Sequence, residues 1–223
     1  MSKTNRSPSE GELFKKVLGN EWLRLHPNNQ RRFDKNPTPG TPLRYTGIVD
    51  ELKSSFIGKL LGFMTLPIIK GALIPYDDGD FPVDIEVYCK DGSDAIFKER
   101  LYQLNMRKPI KFTSYMRESE QGEVLEYVGL GLAMKLVLSV RDGNLHFRSD
   151  GYFWDLFGWR IPIPDLFTPG TADILHVNEG TDRFRIRMEI KHRLFGRTFF
   201  QTGKFWEVSG DSALSKEAQA VYA

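Results

Sequence analysis

Four histidines, one cysteine and one acidic run are the side chains in this chain best suited to proton transfer, nucleophilic attack or metal binding. A histidine metal site wants a pair two apart on a strand or four apart on a helix, with a carboxylate nearby. His26, His146, His176 and His192 are too widely spaced for that, so no metal site is expected. His146, His176 and His192 fall in strand-like segments and are read as surface or half-buried strand residues. An acid–base role would require His192 or His146 to face inward beside a carboxylate. Cys89 lies on the apolar side of an alternating segment, which points to a buried, inert thiol. Pro75–Asp80 (PYDDGD) offers oxygen ligands but lacks the twelve-residue calcium loop and its terminal glutamate, so it reads as a solvated turn.

Cofactor motifs are missing. Gly129–Met134 (GLGLAM) has no third glycine at dinucleotide spacing and sits in a strand pattern with no helix after it. No Gly-x-Ser-x-Gly elbow occurs. No cofactor is therefore expected. Arg183, Arg185 and Arg187 share one face of RFRIRMEIKHRL and could hold an anionic head group; pairing with acids across a sheet is the preferred reading. The aromatics of that segment fall on the opposite face, which argues against nucleic acid stacked on a sheet.

Apolar chemistry is concentrated in two places. Gly151–Gly170 (GYFWDLFGWRIPIPDLFTPG) packs six aromatics, three prolines and three glycines into a segment with no sustained helical or strand period. Its prolines keep the chain extended. Such a flap plugs a curved sheet as core, or forms the lip of a pocket or a docking surface. Leu60–Ile69 (LLGFMTLPII) raises the same alternatives, and at about half the roughly 20 residues of a membrane span it is too short to cross one.

Composition sets outer bounds. The 223 residues are 40% hydrophobic with a net charge of +2, ordinary for a globular protein and giving no global field toward nucleic acid. The single cysteine excludes an internal disulfide and fits a reducing compartment. The polar first residues are not a secretory signal. The expectation is a soluble, cytoplasmic protein, with peripheral membrane association left open.

The elements that would position these groups follow from periodicity. Residues 1–10 are expected to be disordered. Glu12–Leu25 has the spacing of an amphipathic helix, and Lys53–Leu66 reads as a second helix capped at Ser54 or Ser55. His26–Pro42 reads as a linker resistant to helix and strand. Leu43–Leu52 is the first strand, and from Phe81 the pattern turns to period two, with an Asp-Gly hairpin at Asp142-Gly143. Eight to ten strands joined by short turns exclude parallel winding. The fold class is α+β: a strongly curved antiparallel meander, barrel or half-barrel, with two N-terminal helices. Residues 11–208 form a single β-rich domain, with 209–223 as a tail.

Four segments carry a resemblance: ELFKKVLGNEWLRLHPNNQRRF at the start, GKLLGFMTLP (Gly58–Pro67), FGWRIPIPDLFTPG, and FGRTFFQTGKFW. Together they resemble a bacterial family described as domain of unknown function 4166, over most of residues 12–206. The resemblance implies work alongside small-molecule or lipid metabolism, because members occur fused behind a saccharopine-dehydrogenase-like reductase or behind membrane segments. A reductase would here be a separate chain. The resemblance supplies no active-site residues.

The residues themselves then point to binding of an apolar or amphipathic, lipid-like small molecule inside the curved sheet. Phe63, Met64, Trp154, Phe157 and Trp159 are expected at the pocket or its lip, with Arg160 or Arg185 as head-group partner. An enzyme acting on a hydrophobic substrate in the same cavity, or a domain docking on a protein or membrane surface, are the alternatives.

Overall fold

The computed structural model describes residues 9–67, 69 and 71–208. Helix α1 (Glu10–Leu18), a 3-10 turn (Gly19–Arg24) and helix α2 (Pro27–Phe33) precede strand β1 (Leu43–Ser54) and helix α3 (Phe56–Thr65). Then follow β2 (Phe81–Cys89), β3 (Ile96–Tyr102), β4 (Ile110–Glu118), β5 (Val124–Gly129), β6 (Leu132–Arg141), β7 (Asn144–Leu156), β8 (Trp159–Ile163), β9 (Thr171–Asn178), β10 (Arg183–His192) and β11 (Gly196–Val208). All pairings are antiparallel, and β6 and β7 join the two ends of the order β6-β5-β4-β3-β2-β1-β11-β10-β9-β7 into a closed barrel of ten strands. Strand β8 pairs only with the outer half of β7 and stands off the barrel as a hairpin arm. Closure removes the exposed sheet edges that a meander this wide would otherwise present.

Alternation decides what enters the interior. On β2, Phe81, Val83, Ile85, Val87 and Cys89 are buried and the residues between them are not. β1 bends at a register shift between Val49 and Glu51. At Gly47 a Cβ would stand 2.4 Å from the Lys204 carbonyl oxygen, so only glycine lets β1 lie this close to β11.

Helices α1 and α2 stop one end of the barrel. The Phe14 ring meets Phe147 at 5.5 Å and Phe33 at 5.6 Å, both edge-on. The α2 end is tied to the β6–β7 turn, where Gly143 O accepts from His26 N at 2.8 Å and from Asn29 Nδ2 at 3.0 Å. Helix α3 sits at the opposite end, between β1 and β2. Ser55 Oγ caps it by accepting from Gly58 N at 3.2 Å.

The N-terminal helices differ from expectation. The helix expected over Glu12–Leu25 stops at Leu18, because Gly19 turns the chain at φ 52 and a 3-10 turn carries on to Arg24. The linker expected over His26–Pro42 contains α2: Pro27 takes the first turn, where its missing N–H costs nothing, and His26 Nδ1 accepts from Asn28 N. The aromatic segment from Gly151 is also regular. It forms the end of β7 and all of β8, joined by Phe157-Gly158 with φ 53 and 86, a two-residue turn that matches strand twist. Glu10, expected in the disordered start, is the first residue of α1; residues 1–8 and the tail at 209–223 lie outside the described residues.

Candidate functional site: a polar-walled cavity inside the barrel

The barrel interior holds a cavity of about 170 Å³. Much of its wall is hydrocarbon and aromatic, including Ile74, Val83, Ile85, Phe112, Phe184 and Phe205. Ionisable side chains share that wall. Strand β3 turns Lys98, Arg100 and Tyr102 inward, β5 adds Glu126, β9 adds His176, and the two N-terminal helices add Glu10 and Arg32.

Two of the three cations are neutralised in place. Lys98 Nζ lies 2.6 Å from Glu10 Oε1. Arg100 donates to Ser114 Oγ at 3.1 Å and stands 3.7 Å from Glu126 Oε1, while Ser114 Oγ donates to that carboxylate at 2.8 Å. Arg32 is different. Its guanidinium carbon sits 3.7 Å from the centroid of the Phe184 ring and 4.4 Å from that of Phe33. Its Nη2 meets His176 Nδ1 at 3.3 Å, and its buried Nε and Nη1 find no acceptor among the described residues. Burial lowers Arg32 to about 10 against partial restoration by its neighbours, so it is still a cation near neutral pH.

His176 is correspondingly held neutral. Burial first, then the charges of Arg32, Lys98 and Arg100, push it well below the ordinary histidine value. An arginine can only donate, so Nδ1 must accept and Nε2 carries the proton. Burial raises the phenols of Tyr45 and Tyr102 on the same wall and keeps them protonated.

The seven residues expected to bind ligand lie elsewhere; none is on this cavity wall. Phe63 and Met64 are 52% and 62% exposed on α3. Trp154 is bound through Nε1 to the Leu130 carbonyl at 2.7 Å, Phe157 forms the hairpin tip, and Trp159 is 77% exposed beside it. Arg160 donates to Glu123 at 3.1 Å. Arg185 donates to Glu179 at 2.7 Å and pairs with Asp50, as cross-sheet pairing with acids led one to expect. The structure thus separates an interior cavity from an exterior group of aromatics at the α3 end.

The other chemistry-bearing residues are structurally engaged. His146 Nε2 lies 2.5 Å from Asp173 Oδ1 and its Nδ1 3.0 Å from Ser139 Oγ, but the adjacent Phe147 and Ile174 face the cavity, which puts this trio on the outer side. His192 accepts from Leu194 N at 3.1 Å and donates to the Asp165 carbonyl at 3.0 Å. Cys89 is buried, donates weakly to Pro37 O, and burial raises its thiol. In the acidic run, Asp77 accepts from Ser54 N and Lys59, and Asp78 from Asn105. Among the described residues no three His, Cys, Asp or Glu side chains converge as a metal site.

A closed antiparallel barrel with a cavity walled by aromatics and partly paired charges defines the class of cavity-bearing β-barrel proteins. Within it, the chain belongs to the family described as "Domain of unknown function (DUF4166)", whose model matches residues 25–205. No curated protein matches the chain.

Part of the cavity had a sequence signal. Lys98 and Arg100 are in phase with Ile96 and Tyr102, and His176 with Ala172 and Ile174, so period two assigns them inward once those strands have a buried face. Glu126 and Arg32 carry no such signal: Leu125 and Tyr127 beside Glu126 are as buried as Val124, and α2 brings Arg32 to β9 from 144 residues away.

Proposed function

We propose that this barrel binds a compact amphipathic small molecule in its internal cavity. The supporting observation is a void of about 170 Å³ walled by aromatic and aliphatic side chains with polar groups among them. An engineered apolar cavity of about 150 Å³ is known to hold benzene, so a guest of one ring or a short branched chain suits this volume. A long acyl chain exceeds it. Burial of the guest's apolar surface would contribute roughly 25 cal/mol per Å² removed from water. The test is calorimetric titration with toluene of the native protein and of Val83→Phe, which fills the cavity from β2. Binding by the native protein and its loss in the variant support the reading; it is defeated where the native protein binds neither toluene nor the charged ring compounds benzoate and phenyl phosphate.

A second reading rests on the barrel's α3 end, where helix α3 is inverted. Its buried residues are Gly58 and Gly62, packed against the backbone of Thr198 and of Leu73–Pro75, while Phe56, Leu60, Phe63 and Met64 are exposed. The other connections at that end also carry exposed apolar tips: Met106, Leu130, Phe157 with Trp159, and Leu194 with Phe195. Exposed Arg107, Lys108, Arg193 and Arg197 accompany them. Apolar tips among cations match an anionic lipid surface. We propose peripheral docking of this end on such a membrane.

A further inference from the structure

We propose that the guest of the cavity carries a single carboxylate, held by the Arg32 guanidinium. This rests on the cavity-binding reading above and names the chemistry of the guest's polar end. Among the charged groups that the described residues bring to the wall, Lys98 is matched by Glu10 and Arg100 by Glu126, which leaves Arg32 without an acid of its own among the described residues. Glu207, the other carboxylate close enough to act on Arg32, is bonded to Lys35. His176 cannot neutralise it, because it accepts from Arg32 as an uncharged ring. A buried ion of this kind is destabilising unless a counter-ion joins it.

A small void of about 10 Å³ lies on the other side of Arg32, between α2 and the β9–β10 turn. That is room for one water at most. A water would satisfy an N–H but would leave the charge uncompensated. One monoanion brings the wall to neutrality; a phosphate would bring surplus negative charge. Guanidinium and carboxylate also match in donor and acceptor geometry. The Phe33 and Phe184 rings that already flank Arg32 would pack against the apolar body of an aromatic or branched acid.

Benzoate, phenyl phosphate and toluene, titrated separately into the native protein, Arg32→Met and Arg32→Lys, test this. The expectation is benzoate at least tenfold tighter than either of the others, with that preference lost in Arg32→Met and partly kept in Arg32→Lys. Equal binding of benzoate and toluene, or a benzoate preference that survives Arg32→Met, overturns the carboxylate inference and leaves cavity binding standing. Phenyl phosphate tighter than benzoate overturns the choice of monoanion. Failure of all three ligands to bind the native protein defeats the cavity reading itself.

Discussion

Arg32 Nη2 and His176 Nδ1 face each other at 3.3 Å in the barrel interior, joining helix α2 to strand β9. The contact forces the histidine to accept and so to stay neutral. It also leaves a guanidinium inside the protein with two ring faces and an uncharged imidazole as company. Such an arrangement is expensive for a structure that needs only to fold.

Replacing Arg32 by methionine should therefore not weaken the ligand-free protein. The variant keeps a flexible apolar stem against Phe33 and Phe184 and removes an unmatched buried charge. Denaturant unfolding should show unchanged stability or a gain on the order of 1–3 kcal/mol. A loss above about 2 kcal/mol would show that Arg32 has a counter-charge in the free protein.

Stability should fall as pH drops from about 6.5 toward 5. His176 has its folded value depressed well below the ordinary 6.5, so the unfolded chain takes up a proton that the folded chain refuses. The contribution is complete above the unfolded value and declines below it at up to about 1.4 kcal/mol per pH unit. Arg32, Lys98 and Arg100 all oppose protonation of that ring. Asp77 and Glu123, whose carboxyls lie below their ordinary range, lose their contributions only at more acid pH. Unfolding titrations of His176→Gln should lack the slope between pH 6.5 and 5; an unchanged slope would assign it elsewhere.

The inverted face of α3 makes a separate prediction. Native protein should co-sediment with vesicles containing phosphatidylserine, more weakly with pure phosphatidylcholine, and less as salt rises. The double variant Phe63→Glu, Trp159→Glu replaces two exposed side chains and should keep native stability while losing vesicle binding by tenfold or more. Equal sedimentation of the native and double-variant proteins would remove the membrane reading.

Helix α3 should tolerate no side chain at Gly58 in its first turn. A Cβ on Gly58 would stand 2.0 Å from the Thr198 carbonyl oxygen. Gly58→Ala should cost on the order of 1–3 kcal/mol by displacing α3 from β11. Gly92→Ala is the control: the residue has open space around it, and its φ of 70 limits the cost to local strain of about 1 kcal/mol. Equal losses in both variants would show that α3 does not press on β11.

Sequence periodicity recovered the barrel better than its contents. β2 was legible because Phe81 to Cys89 alternate without interruption, and the Asp142-Gly143 hairpin because both residues adopt positive φ, as such turns require. The β7–β8 arm was missed because Phe153, Trp154, Phe157 and Trp159 give an apolar arm that leaves the barrel no two-residue rhythm to read. In sequence those aromatics read as a pocket lip, because bulky apolar groups often line pockets. The structure exposes Phe157 and Trp159 and places the cavity under β2, β3, β9 and β10 instead. Arg32 lay in a proline-flanked stretch where only the folded barrel could assign it an interior position.

The first strand of the barrel is hydrogen-bonded to the last: β1 runs beside β11 from Arg44 opposite Val208 to Ser54 opposite Phe199. During synthesis, β1 emerges more than a hundred residues before its partner and must wait with one flank unzipped. Cavity, plug and guest site can all come into being only after translation has delivered β11, so this barrel should mature late and in a single closing event rather than strand by strand.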